Sequence, residues 1–192
     1  MVFSLRAADP GARSGAIERE SERNVAHRFR KRAETESDAE FRFELFCRSR
    51  TASEDFSFLD AATRQTLLRQ QFAGQNMSYR ANFPNARREI IELDDLPIGG
   101  ITINRGTDAI VIVDIAILPE RRGLGIGSSL LREACDAARA DGIAVRLSVL
   151  SSNDGALRLY RRLGFTPVAR SAIRLELEWR AMPPEPSFAR RG

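Results

Sequence analysis

The run Ala109-Ile110-Val111-Ile112-Val113-Asp114-Ile115-Ala116-Ile117-Leu118 constrains this chain most. Only Asp114 interrupts an otherwise apolar stretch. A strand points alternate side chains to opposite faces, so a run apolar at every position must be covered on both faces. It therefore reads as a central strand. Pro119-Glu120-Arg121-Arg122-Gly123-Leu124-Gly125-Ile126-Gly127 follows at once. Then Leu130, Leu131, Ala134, Cys135 and Ala138 recur at helical spacing as far as Asp141-Gly142. A buried strand, a glycine loop and a helix in direct succession imply an α/β domain.

The remaining pattern supplies partners for that unit. Val2 to Ala8 reads as a short first strand, broken by Asp9-Pro10-Gly11. Residues 10–36 are charged and read as an insertion or flexible arm. Ser37 or Asp38 is expected to cap a helix with Phe41, Leu45 and Phe46 on one face. A second helix is expected from Leu59-Asp60 through Leu67, Leu68, Gln71 and Phe72, with Gly74 and the Asn82–Asn85 cluster ending the helical region. Strands are predicted over 88–93, 98–104, 109–118 and 143–150. Asn153 opens a short helix carrying Ala156, Leu157 and Tyr160, and two strands follow over 166–170 and 173–179. The domain is expected to span 1–180, with 181–192 as a tail beginning near the proline cluster.

Composition excludes several classes. A chain of 192 residues suits one domain. No stretch reaches the roughly 18 apolar residues of a membrane span. Met1 to Arg6 lacks the apolar core of a signal peptide. Cys47 and Cys135 stand far apart, and His27 is the one histidine, so neither a disulfide framework, a metal site nor a histidine triad is expected. A reducing cytoplasm is the expected compartment. Lys and Arg number 30 against 26 acids, and Arg28-Phe29-Arg30-Lys31-Arg32 is the densest basic cluster. Acids flank it on both sides, so nucleic-acid binding is a rival reading the charge pattern does not favour.

The glycine loop carries the chemistry. Its backbone N–H groups can converge on an anion, and the following helix adds the positive end of its dipole. Glycine permits close approach and positive φ. The Gly-Lys-Ser/Thr ending of a phosphate-binding P-loop is absent, and the spacing is not that of a dinucleotide fingerprint. From the glycines alone, a tight turn without ligand remains an alternative.

Arg122-x-x-Gly125-x-Gly127 at the end of the central strand resembles the coenzyme A loop of the GNAT N-acetyltransferase superfamily. Asn153-x-x-Ala156-x-x-x-Tyr160-x-x-x-Gly164-Phe165 resembles a second motif of the same family, in the same order. The resemblance covers about residues 38 to 180 and the first strand. It implies a mixed, mostly antiparallel sheet of six or seven strands with about four helices.

It also implies roles. Arg122, Gly123, Leu124, Gly125, Ile126, Gly127 and Ser128 would bind the pyrophosphate of acetyl-CoA, mainly through backbone. The Ile117 backbone would pair with the pantetheine arm where two central strands splay, ending at Ile117 and near Val149. Asn153 would contact that arm, cap its helix, or both. Tyr160 would be the general acid for the leaving thiolate, and an N–H near Ile117 would face the oxyanion.

No inherited base is evident. Some relatives carry a glutamate where this chain has Val113; others carry one on the next strand, where it has Ser148. Asp114 would bind the ammonium, accept a proton through water, or serve as a structural acid. The acceptor wall is expected around Phe72, Gln75, Asn76, Tyr79 and Arg80. A small-molecule amine is the first choice of acceptor and a protein amine the second. A non-catalytic coenzyme A-binding member of the same fold is the alternative. The last strand would permit a homodimer, and no membrane partner is expected.

Overall fold

The computed structural model describes residues 29–51, 56 and 58–181. The strand expected at Val2–Ala8 and most of the expected arm and tail lie outside the described residues. The first described strand is β1, Phe29–Ala33, within the segment expected to be an insertion. It pairs antiparallel with β2, Arg87–Leu93. Its basic residues are matched by acids. Arg30 and Arg32 each hold a Glu92 oxygen at 2.7 Å. Arg32 also forks onto Asp38 at 2.7 Å, and Lys31 pairs with Glu133.

A 3-10 turn over Glu36–Asp38 leads into α1, Ala39–Thr51. Asp38 reaches back rather than forward: its Oδ2 accepts from Thr35 N at 2.8 Å. Thr35, not Ser37 or Asp38, therefore opens this segment. The helix buries two faces where one was expected. Leu45, with Phe41 against it, packs on Ala116 and Leu118, whereas Phe43 and Phe46 pack on Phe56 and Leu68. Asp60 caps α2, Ala61–Asn82, accepting from Ala62 N and Thr63 N at 3.0 Å. Gly74 does not end this helix; it faces open space in mid-helix, and the chain leaves at Phe83-Pro84.

β2 turns into β3, Leu96–Arg105, through Asp94 and Asp95, with φ of 52 and 62. Two left-handed residues between antiparallel strands match strand twist, and Asp tolerates that conformation. β4 is Ala109–Ile117, α3 Ile126–Asp141, β5 Ala144–Leu150 and α4 Asp154–Arg162. β6, Thr166–Arg170, and β7, Arg174–Trp179, finish the seven-stranded sheet, ordered β1-β2-β3-β4-β5-β7-β6. Every neighbouring pair is antiparallel except β4–β5. The expected mixed sheet with four helices is thus observed.

Two irregularities shape the centre. The β3–β4 register passes from Thr102↔Asp114 to Ile103↔Ile112, so Val113 is an extra residue. This bulge switches the phase of β4. Ile110 and Ile112 face the main core, and three residues later Ile115 and Ile117 face it again. Asp114 and Ala116 are thereby turned to the opposite face, toward α1. The second irregularity is a parting of strands. β4 and β5 pair only over Ala109–Ile112 and Ala144–Leu147, although they run on to Ile117 and Leu150.

Candidate active site at the parted strands

The loop after β4 makes a 3-10 turn at Pro119–Arg121 and then enters α3 through two left-handed glycines. Gly123 and Gly125 have φ of 79 and 76. A side chain would be strained at either position. The first turn of any α-helix leaves N–H groups without intrahelical partners. Here Gly125 is the N-cap and supplies no capping side chain, and Ser129 N makes a helical bond to Gly125 O at 3.0 Å. The amides of Ile126, Gly127 and Ser128 therefore lie in the open first turn, and no acid stands there to repel an anion. This arrangement fits a diphosphate.

Leu118 N donates to Ile98 O at 2.9 Å, on the β3 side. Successive peptide groups of a strand face opposite ways, so the N–H and C=O of Ile117 face the gap left by β5. An extended ligand can pair there as an added strand. The Ile117 carbonyl already accepts from Arg122 Nε at 3.0 Å, and a carbonyl has a second lone pair for a guest. Arg122 thus ties the loop to the strand end, and its Nη2 reaches Ser49 Oγ on α1 at 3.5 Å. Asn153 caps α4, its Oδ1 accepting from Ala156 N at 3.2 Å.

The chain has two tyrosines, and both feel the charges of Asp114 and Arg174. Tyr160, on α4, is fully buried and shares the main core with Ile117 and Val149. Its ring lies 5.7 Å from that of Phe165. Tyr79, on α2, accepts from Gln75 Nε2 at 2.9 Å. Burial, reinforced by the Asp114 charge, pushes both phenols well above their ordinary pKa. Arg174 acts on both in the opposite direction. It is fixed at the first residue of β7 by donating from Nε to Ser148 Oγ at 2.8 Å and from Nη2 to Ser148 O at 2.9 Å. Burial in turn lowers the Arg174 pKa.

Asp114 is 6% exposed, with Arg42 Nη2 at 3.4 Å from its Oδ2. Arg42 Nε is 3.2 Å from Glu34, and Arg88 lies 3.5 Å from the other Glu34 oxygen. A chain of alternating charge, buried at Arg42 and Asp114 and half-buried at Glu34 and Arg88, thus crosses from β2 to β4 beneath α1.

Two cavities flank Phe83 on this side. One, of about 600 Å³, is lined by Glu34, Thr35, Tyr79, Arg80 and Thr102 among others. The other, of about 260 Å³, lies at the parting and is lined by Val111, Val113, Ser148, Val168 and Glu176 among others. Of the expected acceptor wall, Tyr79 and Arg80 border a cavity, while Phe72 packs its ring 5.5 Å from Phe43 and 5.3 Å from Phe46. Asn76 bonds Arg88. Glu176 escaped the sequence reading. The alternation of Leu175, Leu177 and Trp179 puts it on the opposite face, but only the β5–β7 register puts it beside Ser148. Among the described residues no acid or thiol cluster could hold a metal, and no helix is long and apolar enough to cross a membrane.

A family model described as the acetyltransferase (GNAT) family matches residues 44–165. The chain belongs to that family. A segment of 54 residues is 50% identical to the N-alpha-acetyltransferase RimI of Mycobacterium tuberculosis, covering 28% of this chain and 33% of that protein. A segment of 57 residues is 44% identical to the streptothricin acetyltransferase of Streptomyces lavendulae, covering 29% and 30%. The chain thus matches about a third of the length of these relatives. Among solved structures, a PaiA N-acetyltransferase of Thermoplasma acidophilum in complex with coenzyme A superposes with a TM-score of 0.62 at 18% identity, over 80% of this chain and 99% of that one. PseH, a Campylobacter jejuni N-acetyltransferase in complex with acetyl coenzyme A, gives 0.51 at 18% identity, over 80% and 99%. At these identities the superpositions bear on the fold of this GNAT chain.

Proposed function

We propose that this GNAT protein transfers the acetyl group of acetyl-CoA to a primary amine of a small molecule. The observation that carries the reading is the parting of β4 from β5 beside an uncapped helix N-terminus. The amides from Gly123 to Ser128 bind the pyrophosphate, with Arg122 bracing the loop. The pantetheine arm lies along Ile117, near Asn153, and points the thioester into the parting. That two relatives in the fold bind coenzyme A or its acetyl ester supports the choice.

The amine nitrogen attacks the thioester carbon, and a C–N bond forms as the C–S bond breaks. The backbone N–H groups of β4 facing the gap steady the charge on oxygen. Tyr160 gives its proton to the departing sulfur. The upward shift keeps the phenol protonated at neutral pH, so it carries the proton the thiolate takes. Arg174 offsets part of the charge left on the phenol. Asp114, engaged by Arg42, orders the floor of the site. Cavities of about 260 and 600 Å³ favour a small acceptor over a protein one.

The test is thiol release from acetyl-CoA on addition of primary amines. Release that depends on both amine and enzyme is the expected result; coenzyme A binding without release with any amine would assign the chain to the non-catalytic alternative.

A further inference from the structure

An amine that arrives as ammonium must lose a proton before it can attack, so a base has to face the parted strands. The acids near that gap are mostly engaged. Asp114 is held by Arg42. Glu34 lies between Arg42 and Arg88. Glu178 is bonded by Arg146 at 2.7 Å and by Arg180 at 2.6 Å. Glu176 is different. It is exposed and lines the cavity at the parting, and its charge acts on Arg174, two residues before it on β7, without the close arginine contacts that hold the other three among the described residues.

Register fixes its position. Ser148 and Glu176 are direct partners across the antiparallel β5–β7 pair. Residues so opposed share a face, with Cβ atoms about 5 Å apart. Ser148 is the first β5 residue beyond the last one paired with β4, Leu147. Glu176 therefore stands one strand away from the parting, on the cavity side, whereas Leu177 and Trp179 point into the core. The cavity is walled by apolar Phe83, Val111, Val113 and Val168 together with Ser148 and Arg146, whose charge is taken up by Asp108 and Glu178, so Glu176 is the acid among the lining residues.

We propose that Glu176 is the general base of the transfer, supplied from β7 where β5 offers only the Ser148 hydroxyl. The assignment rests on the transferase reading above. The ammonium gives one proton to the Glu176 carboxylate, which passes it to solvent from its exposed position. The neutral amine then forms the C–N bond. The second proton, far more acidic once the nitrogen has bonded to the acyl carbon, leaves to water as the C–S bond breaks, and Tyr160, having protonated the sulfur, is reprotonated from water. The sum is one amide, one thiol and one proton.

The test compares two nucleophiles on the full chain, benzylamine and O-benzylhydroxylamine. The first is an ammonium ion at neutral pH and needs a base; the second is already neutral. Glu176→Gln is expected to lower kcat/KM for benzylamine about 100-fold. The loss with O-benzylhydroxylamine is expected to stay within about threefold, and acetyl-CoA affinity to be unchanged. Glu178→Gln, a control at an acid held by two arginines, is expected to stay within about twofold for both. An equal loss with both nucleophiles, or no loss with benzylamine, overturns the assignment. Wild-type protein that releases no thiol with benzylamine, O-benzylhydroxylamine, spermidine or a peptide with a free N-terminus overturns the transferase reading, and the assignment with it.

Discussion

Arg42 reaches across from α1 to Asp114 on β4, Nη2 to Oδ2 at 3.4 Å, with both side chains less than a tenth exposed. The contact exists because two features of the sequence coincide. The Val113 bulge turns Asp114 toward α1, and Gly100 on β3 leaves room for the guanidinium. A Cβ at Gly100 would overlap Arg42 Nη1.

Breaking one side of a buried ion pair leaves a desolvated charge. Asp114→Asn is therefore expected to destabilise the fold by about 3 kcal/mol in denaturant titration. The Arg42→Met, Asp114→Leu double variant should lose less than the sum of the two single variants. Gly100→Ala should displace the guanidinium and reproduce part of the Asp114→Asn loss. Full additivity of the single variants would show that the pair is not coupled.

Tyr160→Phe removes a hydroxyl from a fully buried ring. The expected result is a fall in kcat of about 100-fold with acetyl-CoA affinity retained. The sign of the pH effect follows from the raised pKa. The acid form persists above the ordinary phenol range, so kcat should show no alkaline decline from this group below about pH 10. A decline centred near pH 8 in the wild type, absent in a Tyr160→Phe variant with residual activity, would contradict the raised pKa, and an unchanged kcat in Tyr160→Phe would contradict the role.

The acid side of the stability profile belongs to β1. Arg32, together with the Thr35 amide, holds Asp38 far below its ordinary value of 3.8, and Arg30 and Arg32 lower Glu92. A carboxylate with a lower pKa folded than unfolded stabilises the protein above its unfolded value, and that contribution is lost as pH falls toward the folded one. The denaturation midpoint should therefore drop steadily below about pH 4. Asp38→Asn should lower the midpoint at pH 7 and flatten the acid slope. An unchanged slope would remove Asp38 from the account.

Much of this was legible in the sequence, and the exceptions have physical causes. The ten-residue apolar run, the glycine loop and the Asn153–Phe165 helix announce the site because each needs a residue type that few others replace. β1 was not legible. It is a sheet edge carrying Arg30, Lys31 and Arg32, whose charges are matched by residues 6 to 102 positions away in the chain. Local pattern reads such a strand as a solvated arm. Gly74 reads as a helix end, yet an exposed glycine costs a helix only about 1 kcal/mol, and Asp60 and the flanking turns outweigh it. Glu176 was hidden because its neighbour Ser148 is 28 residues away and is joined to it only by strand register.

Gly99 tests the other side of the parting. A Cβ there would lie 2.6 Å from the Ala116 carbonyl oxygen, a backbone atom that can yield only by moving β4. Gly99→Ala is expected to destabilise by about 2 kcal/mol, in the range of overpacking. It should also weaken acetyl-CoA binding, because β4 carries Ile117 to the gap. Wild-type stability and affinity in this variant would mean that the strands have more freedom than the register implies.

If the glycine loop and the parted strands hold acetyl-CoA, isothermal titration reads that binding without an acceptor. The full chain and a Gly125→Glu variant would be titrated with acetyl-CoA and with coenzyme A. Glutamate at Gly125 puts a side chain on a left-handed residue and a negative charge at the helix N-terminus. Saturable one-to-one binding by the wild type, abolished in a folded variant, is the predicted result. No binding by folded wild-type protein, or equal binding by both, would contradict the account.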